Sequence, residues 1–139
     1  MNKLIRAVVL TTALVAGFAV VGVPSSAQAA THDNNCQSGE SCVFADGVYG
    51  GGMDDMATTD STWVGNTFSS GGSVNDGASS GFGNDRGERY YVNVNFGGYW
   101  FTLGPNQYDP YWTTNQPFTS AAASYDFNNK ISSNSIYVP

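Results

Sequence analysis

Two short stretches of the chain carry side-chain oxygens at a spacing that suits a hard metal ion. Asn75–Ser80 reads Asn-Asp-Gly-Ala-Ser-Ser, and Asn128–Ser133, beginning 53 residues later, reads Asn-Asn-Lys-Ile-Ser-Ser. Both fit a pattern of two Asn or Asp residues, two variable residues, a Ser or Thr, and a final Ser. Such a stretch places amide, carboxylate, hydroxyl and carbonyl oxygens on one tight loop, and calcium takes about six to eight oxygen ligands in flexible geometry.

Asn-Asp and Asn-Asn pairs also form ordinary turns, and either stretch alone would favour that interpretation. A second motif bears on the choice between ordinary turns and a calcium site. Phe44–Gly51 and Tyr91–Gly98 both fit aromatic-x4-aromatic-x-Gly, 47 residues apart, and each copy precedes one of the oxygen-rich stretches. Two motifs alternating in order indicate an internal repeat, and the repeat favours calcium over incidental turns.

On these motifs the chain resembles the βγ-crystallin superfamily, in its calcium-binding microbial branch, over about residues 41–138. The resemblance implies an all-β domain in which two Greek-key motifs, about residues 41–84 and 88–138, form a βγ-crystallin-like sandwich. Each key would begin with a folded hairpin whose two aromatic rings pack over the bend.

Four residues are implied to shape these hairpins. Gly51 and Gly98 would hold a backbone conformation closed to residues with a Cβ. Ser80 and Ser133, the last residues of the oxygen-rich motifs, would hydrogen-bond the hairpins and hold them down. These roles follow from the resemblance, and the hairpin conformation gives the glycine requirement its physical reason.

The same resemblance implies two calcium ions shared between the two loops. The second Asn or Asp of each loop would reach the ion held mainly by the other loop. One ion would then lie between Ser79 and Asn129. The other would lie between Ser132 and Asp76. With carbonyls of the intervening residues, the implied ligand loops comprise Asn75, Asp76, Gly77, Ser79, Asn128, Asn129, Lys130 and Ser132.

Calcium affinity is expected to be modest. Asp76 is the only charged side chain among the four Asn/Asp positions. Few charged ligands predict a dissociation constant in the micromolar-to-millimolar class of extracellular sites. Lys130 lies within the second loop and would weaken binding further unless its ammonium faces solvent.

The start of the chain predicts export. Met1–Arg6 carries two positive charges, an apolar run covers Ala7–Val23, and Ala27–Ala29 supplies the small residues of a cleavage site. This order is typical of a secretory signal peptide, here residues 1–29. A membrane anchor is the alternative, but the run is at the short end for spanning a bilayer. We therefore expect a secreted, extracellular protein with no membrane partner after cleavage.

The net charge of the remaining chain restricts the classes of partner that it can bind. After residue 29 the sequence keeps three basic and eleven acidic residues, a formal net charge of −8. Such a surface repels nucleic acid and anionic lipid and suits cations or basic partners. Nucleic-acid binding is therefore not expected.

Cys36 and Cys42 are the only cysteines. In an oxidising compartment they predict a disulfide. A metal site at this pair would lack ligands, because the single histidine, His32, falls in a polar segment, residues 30–40, that is expected to be loose up to the disulfide.

A second resemblance overlaps the first. Cys36–Cys42 fits C-x2-G-x2-C and leads directly into the first hairpin motif. This combination resembles secreted actinobacterial metallopeptidase inhibitors of crystallin-like fold. This implies a secreted metallopeptidase as a partner. Inhibitory members stiffen a protruding loop with an additional disulfide, for which this chain has no cysteines. The stretches that could protrude are Gly65–Ser73 and Gly104–Asn115.

Short β-prone runs between turn clusters predict seven strands. They are Ser41–Asp46, Met53–Met56, Ser61–Val64, Ala78–Phe82, Glu88–Val94, Tyr99–Leu103 and Ile131–Val138, with a weaker one near Gln116–Thr119. Aromatic residues are expected to fill the core, although such a stripe can also bind carbohydrate. They are Trp63, Phe68, Trp100, Phe101, Trp112 and Phe118.

An enzyme is not expected. His32 is expected to lie outside the folded part, which leaves Ser or Cys nucleophiles without a base. Asp54 and Asp55 could be imagined as a glycosidase pair, but adjacent residues of a strand point to opposite faces. We therefore attribute the pair to an acidic surface.

Overall fold

The computed structural model describes residues 30–116 and 118–138, so the predicted signal peptide, residues 1–29, lies outside the described residues. The described part contains strands, turns and no helix. It therefore offers no helical segment of the length and apolarity needed to cross a membrane. The strands are β1 (Glu40–Phe44), β2 (Met53–Met56), β3 (Ser80–Asn84), β4 (Gly87–Asn93), β5 (Gly97–Leu103), β6 (Tyr108–Asp109) and β7 (Ser133–Tyr137).

The strands form two antiparallel sheets that exchange pieces between the halves of the chain. One sheet has the order β2-β1-β3-β6 and the other β5-β4-β7. β6 comes from the second half but pairs with β3 of the first half. In return, Asp60 of the first half makes an isolated bridge to Asn134 in β7. This exchange interlocks the two Greek keys, and the predicted all-β sandwich is confirmed.

Three details of the strand prediction were wrong. Ser61–Val64 is not a strand, and the backbone there makes only separate bonds such as Trp63 N–H to the Ser132 carbonyl at 2.8 Å. β6 was missed because it is only two residues long, too short for an alternating pattern. The weak strand near Gln116–Thr119 is a single bridge between Thr119 and Phe101.

Aromatic packing fills the core, with two departures from the prediction. Trp63, Phe68, Phe101 and Trp112 are buried as expected, and the rings of all but Phe68 contact the ring of Tyr90. Trp100 is only partly buried, and its ring lies 4.1 Å from the Arg89 guanidinium carbon. Phe118 is 73% exposed and does not belong to the core.

The segment expected to be loose is bound to β2. The His32 amide donates to the Asp55 carbonyl at 2.9 Å, and His32 Nδ1 lies 2.9 Å from Asp54 Oδ1. The Asp33 and Asn34 amides donate to the Asp55 carboxylate. Asp54 and Asp55 are 1% and 0% exposed. The acidic-surface interpretation of this pair was therefore wrong, and so was the placement of His32 outside the fold.

Two further contacts hold this end of the sandwich. Cys36 and Cys42 form the predicted disulfide, with Cα atoms 6.0 Å apart. Between the sheets, Glu88 accepts hydrogen bonds from Arg86 Nε at 2.9 Å and from Asn134 Nδ2 at 2.7 Å. Burial raises the pKa of Glu88 to about 7, against the opposing effect of both donors.

Candidate metal centre

The two folded hairpins are near copies of one another. The rings of Phe44 and Tyr49 have centroids 5.6 Å apart, and those of Tyr91 and Phe96 are also 5.6 Å apart. In each hairpin the second aromatic and the residue before it have positive φ. The repeat seen in the sequence is therefore a repeat of backbone geometry.

Each hairpin depends on its glycine for steric reasons. Gly51 and Gly98 have φ of 73° and 75°. A Cβ on Gly51 would lie 2.9 Å from Asp46 Oδ2, and one on Gly98 would lie 2.5 Å from Val92 Cγ2. Both the conformation and the space therefore exclude a side chain.

The two serines that end the oxygen-rich motifs bond to these hairpins. Ser80 Oγ donates to the Asp46 carbonyl at 2.7 Å and accepts from the Tyr49 amide at 3.1 Å. Ser133 makes the same two bonds to the second hairpin, at 2.7 and 3.2 Å. Each oxygen-rich stretch is thus fixed at one end by its own hairpin.

The stretches Asn75–Ser80 and Asn128–Ser133, which we call the paired loops, lie side by side. Ser79 Oγ lies 3.1 Å from Asn129 Oδ1, and Ser132 Oγ lies 3.0 Å from Asp76 Oδ1. The amides of Asn129 and Asp76 each donate to the carbonyl just before the serine that they face, at 3.0 and 2.9 Å. Each loop therefore reaches across to the other in the same way.

The backbone at the two reaching residues is also matched. Asp76 has φ of 54° and Asn129 has φ of 53°. This left-handed conformation is unfavourable for most side chains but is tolerated by Asn and Asp. The residue types that could ligate a cation are thus also types that fit this backbone.

The donor set suits a hard cation. Ligands bound to calcium at about 2.3–2.6 Å lie roughly 3 Å or more from one another, which matches the two oxygen pairs. Asn75 Oδ1, at the start of the first loop, is shielded from solvent and has no hydrogen-bond partner among the described residues. The loops therefore offer one carboxylate, amide and hydroxyl oxygens, and an unused amide oxygen.

The candidate site in the paired loops is not a cluster of acidic residues. Among residues 30–116 and 118–138 there is no cluster of three or more His, Cys, Asp or Glu side chains that could hold a metal ion. The paired loops instead rely on Asn and Ser side chains and backbone carbonyls. In proteins calcium accepts such neutral oxygens alongside carboxylates.

Two residues outside the motif shape the second loop. Asp126 Oδ1 accepts from the Asn128 amide at 2.9 Å, and its carbonyl accepts from Lys130 Nζ at 2.5 Å. The Lys130 ammonium also lies 5.1 Å from the centroid of the Tyr125 ring. Sequence reasoning missed Asp126, although an Asp two residues before an amide is a known turn signal.

Searches against known proteins agree with this architecture. No family model and no curated protein sequence matches the chain. Among solved structures, a βγ-crystallin from Ciona intestinalis is 20% identical, with a TM-score of 0.54, over 71% of this chain and 100% of that chain. A βγ-crystallin from an archaeon is 24% identical, with a TM-score of 0.50, over 73% of this chain and 100% of that chain.

A third structure, described as "Evolution of the eye lens beta-gamma-crystallin domain fold", is 16% identical, with a TM-score of 0.56. The match covers 76% of this chain and 91% of that one. At such identities a likeness concerns the fold. This chain is a two-Greek-key sandwich with the βγ-crystallin fold.

Proposed function

We propose that this chain is a secreted calcium-binding domain of the βγ-crystallin superfamily, in which two ions shared between the paired loops stabilise an extracellular scaffold. The observation that supports the proposal most is the reciprocal pairing of Ser79 with Asn129 and of Ser132 with Asp76. Two oxygens from different loops meet at each of the two places where the sequence predicts an ion.

The loops support binding with little rearrangement. In the paired loops the serine hydroxyls donate their protons to the facing oxygens. If these protons rotate away, both oxygens of each pair can turn lone pairs to a cation. The backbone and hairpin bonds already hold the loops in place, so the ordering cost of binding is small.

The two sites differ in charge. Asp76 supplies a carboxylate to one pair, whereas the other pair, Ser79 and Asn129, is neutral. The Lys130 ammonium is bound to the Asp126 carbonyl and forms no ion pair with Asp76 in the described part of the chain. We therefore expect modest affinity, with the Asp76 site the tighter of the two.

Calorimetric titration of the secreted, processed protein with calcium tests the proposal. Heat for two ions per chain, at a dissociation constant between micromolar and millimolar, is the expected result. Magnesium should bind more weakly, because it demands a tighter octahedral shell and releases its waters reluctantly. The absence of saturable calcium heat would contradict the proposal.

The structure gives no specific support to peptidase inhibition. Gly104–Asn115 contains β6, paired to β3, and the buried Trp112. Gly65–Ser73 is anchored by Phe68, which is 4% exposed. Both stretches are therefore tied to the sandwich. Inhibition of a secreted metallopeptidase stays a prediction, which an assay with a thermolysin-type peptidase would test with and without calcium.

A further inference from the structure

A cavity of about 350 Å³ lies beside β6, and no paired-loop residue lines it. Two tyrosines, one acid and several amides form most of its wall. Among the described residues that line it, none carries a positive charge. The residues important here are Tyr108, Asp109, Tyr111 and Gln116.

Two oxygens of these lining residues lack a donor. Asp109 Oδ2 and Gln116 Oε1 are shielded from solvent and have no hydrogen-bond partner among the described residues. The other polar atoms of the two side chains are engaged. Asp109 Oδ1 accepts from the Tyr111 amide at 3.0 Å, and Gln116 Nε2 donates to the Tyr111 carbonyl at 3.2 Å. Both orphan atoms are acceptors, and a buried acceptor without a donor is unfavourable.

The electrostatics of the wall favour a cation. Burial raises the pKa of Asp109, because the partly buried carboxylate loses solvation, while the hydrogen bond from the Tyr111 amide acts in the opposite direction. A positive group close to Asp109 would replace that lost solvation. The strong negative charge of the domain also draws basic groups to its surface.

Two tyrosine rings are held at the cavity. Tyr108 and Tyr111 are 62% and 53% exposed. The Tyr108 ring stacks on Phe82 with centroids 5.0 Å apart. Tyr111 packs against Gly47, where an added Cβ would lie 2.8 Å from Tyr111 Cε1. Fixed, exposed rings can take a guanidinium on their faces at little entropic cost.

We propose that this cavity binds the guanidinium group of an arginine presented by a partner protein, with Asp109 as its counter-ion. When the two side chains turn Asp109 Oδ2 and Gln116 Oε1 toward the cavity, Gln116 supplies the second acceptor, and Tyr108 and Tyr111 flank the planar cation. A guanidinium matches the site better than an ammonium, because it is flat, stacks on aromatic rings and carries five donors in a fixed fork. The inference does not depend on calcium binding.

Titration of the secreted, processed protein with N-acetyl-arginine amide, followed by NMR at constant ionic strength, tests the proposal. Saturable shifts at Asp109, Tyr111 and Gln116 are expected. N-acetyl-citrulline amide, which keeps the shape without the charge, should bind at least about tenfold more weakly. Equal binding of the two probes would overturn the proposal. So would shifts with cellotetraose and none with arginine amide, which would indicate a neutral sugar site, or no shift with any probe.

Variants then assign the counter-ion. Asp109→Asn keeps an oxygen for the Tyr111 amide and removes the charge, so the fold should survive and arginine-amide affinity should fall by about tenfold or more. The matched control is Asp33→Asn, an exposed acid on the segment bound to β2, at the opposite edge of the same sheet from β6. Full affinity in Asp109→Asn, or an equal loss in both variants, would refute the assignment.

Discussion

The segment bound to β2 and the paired loops both gather acidic and amide side chains, but they satisfy them differently. In the first region, which we call the N-terminal clasp (residues 31–34 with Asp54 and Asp55), both carboxylates are buried and bonded to protein donors. In the paired loops the one carboxylate, Asp76, is exposed. It accepts from the Ser132 hydroxyl at 3.0 Å and the Asn75 side-chain amide at 2.9 Å.

The difference shows that acid content is a poor guide to a cation site. Backbone amides cannot turn their protons away, so the carboxylate of Asp55 has donors fixed against it and little capacity left for an ion. A serine hydroxyl can rotate and present its oxygen instead. The neutral-looking paired loops therefore keep more capacity for calcium than the acidic clasp does.

The largest expected effect comes from calcium itself. An ion that binds only the folded state at about a hundred times its dissociation constant adds roughly 2.7 kcal/mol per site, which raises the melting temperature of a domain this size by about 10 °C or more. Asp76→Ala should remove most of the gain, because it deletes the only carboxylate of the paired loops. Thermal melts with and without calcium measure both effects.

Asp85→Ala is the control for that experiment. Asp85 is an exposed acid that is hydrogen-bonded to Ser38 and Asn106, outside the paired loops. Its substitution should leave the calcium-induced rise in melting temperature intact. A melting temperature that does not change with calcium would contradict the inference that the paired loops have more capacity for calcium than the clasp. A full shift in Asp76→Ala would do the same.

The next effect concerns the clasp. Asp55→Ala removes the carboxylate that accepts the Asp33 and Asn34 amides and should lower the free energy of unfolding by about 2 kcal/mol in urea titrations. The calcium-induced shift should stay unchanged, because Asp55 lies in the clasp. Asp33→Asn, at an exposed acid of the same segment, should change stability by less than about 0.5 kcal/mol. An Asp55→Ala variant as stable as the parent would show that the clasp does not contribute to stability.

A substitution can also make the two proposed ion sites more alike. Asn129→Asp gives the neutral pair a carboxylate, and Asp fits the left-handed backbone at that position. Affinity at that site should rise about tenfold, a gain of about 1.4 kcal/mol, measured by calorimetry. Asn115→Asp, at another exposed Asn with positive φ outside the paired loops, should leave calcium affinity unchanged. Unchanged affinity in Asn129→Asp would argue against Asn129 as a ligand.

The sequence predicted the features that occur twice and missed several that depend on contacts distant in the sequence. The paired loops and hairpins occur twice, and two copies of a motif fix spacing, residue type and order together. The clasp occurs once, in a polar segment with no periodicity, and its order arises from Asp54 and Asp55 on a strand distant in the sequence. β6 likewise exists because β3 offers it an edge. Such features depend on tertiary contacts, which local patterns do not contain.

The smallest effect is a pH dependence carried by the clasp. The hydrogen bond to the Asp54 carboxylate, aided by the negative charges of Asp54, Asp60 and Asp55, raises the pKa of His32 above its ordinary 6.5 despite partial burial. The folded state therefore keeps this proton at pH values where the unfolded chain has lost it. The stabilisation is complete below about pH 6.5 and is lost as the pH rises through the raised pKa, by less than about 1 kcal/mol because the histidine side chain is one-third exposed to solvent.

Glu88 changes stability in the same direction, so a variant must separate the two groups. Because the pKa of Glu88 is raised from 4.5 to about 7, the folded state binds more protons than the unfolded state between these values, and stability falls as the pH rises. His32→Gln removes only the histidine contribution. Urea titrations of calcium-free protein at pH 5.5 and 8 should give a smaller difference for His32→Gln than for the parent. Equal differences would mean that the His32–Asp54 contact does not stabilise the fold.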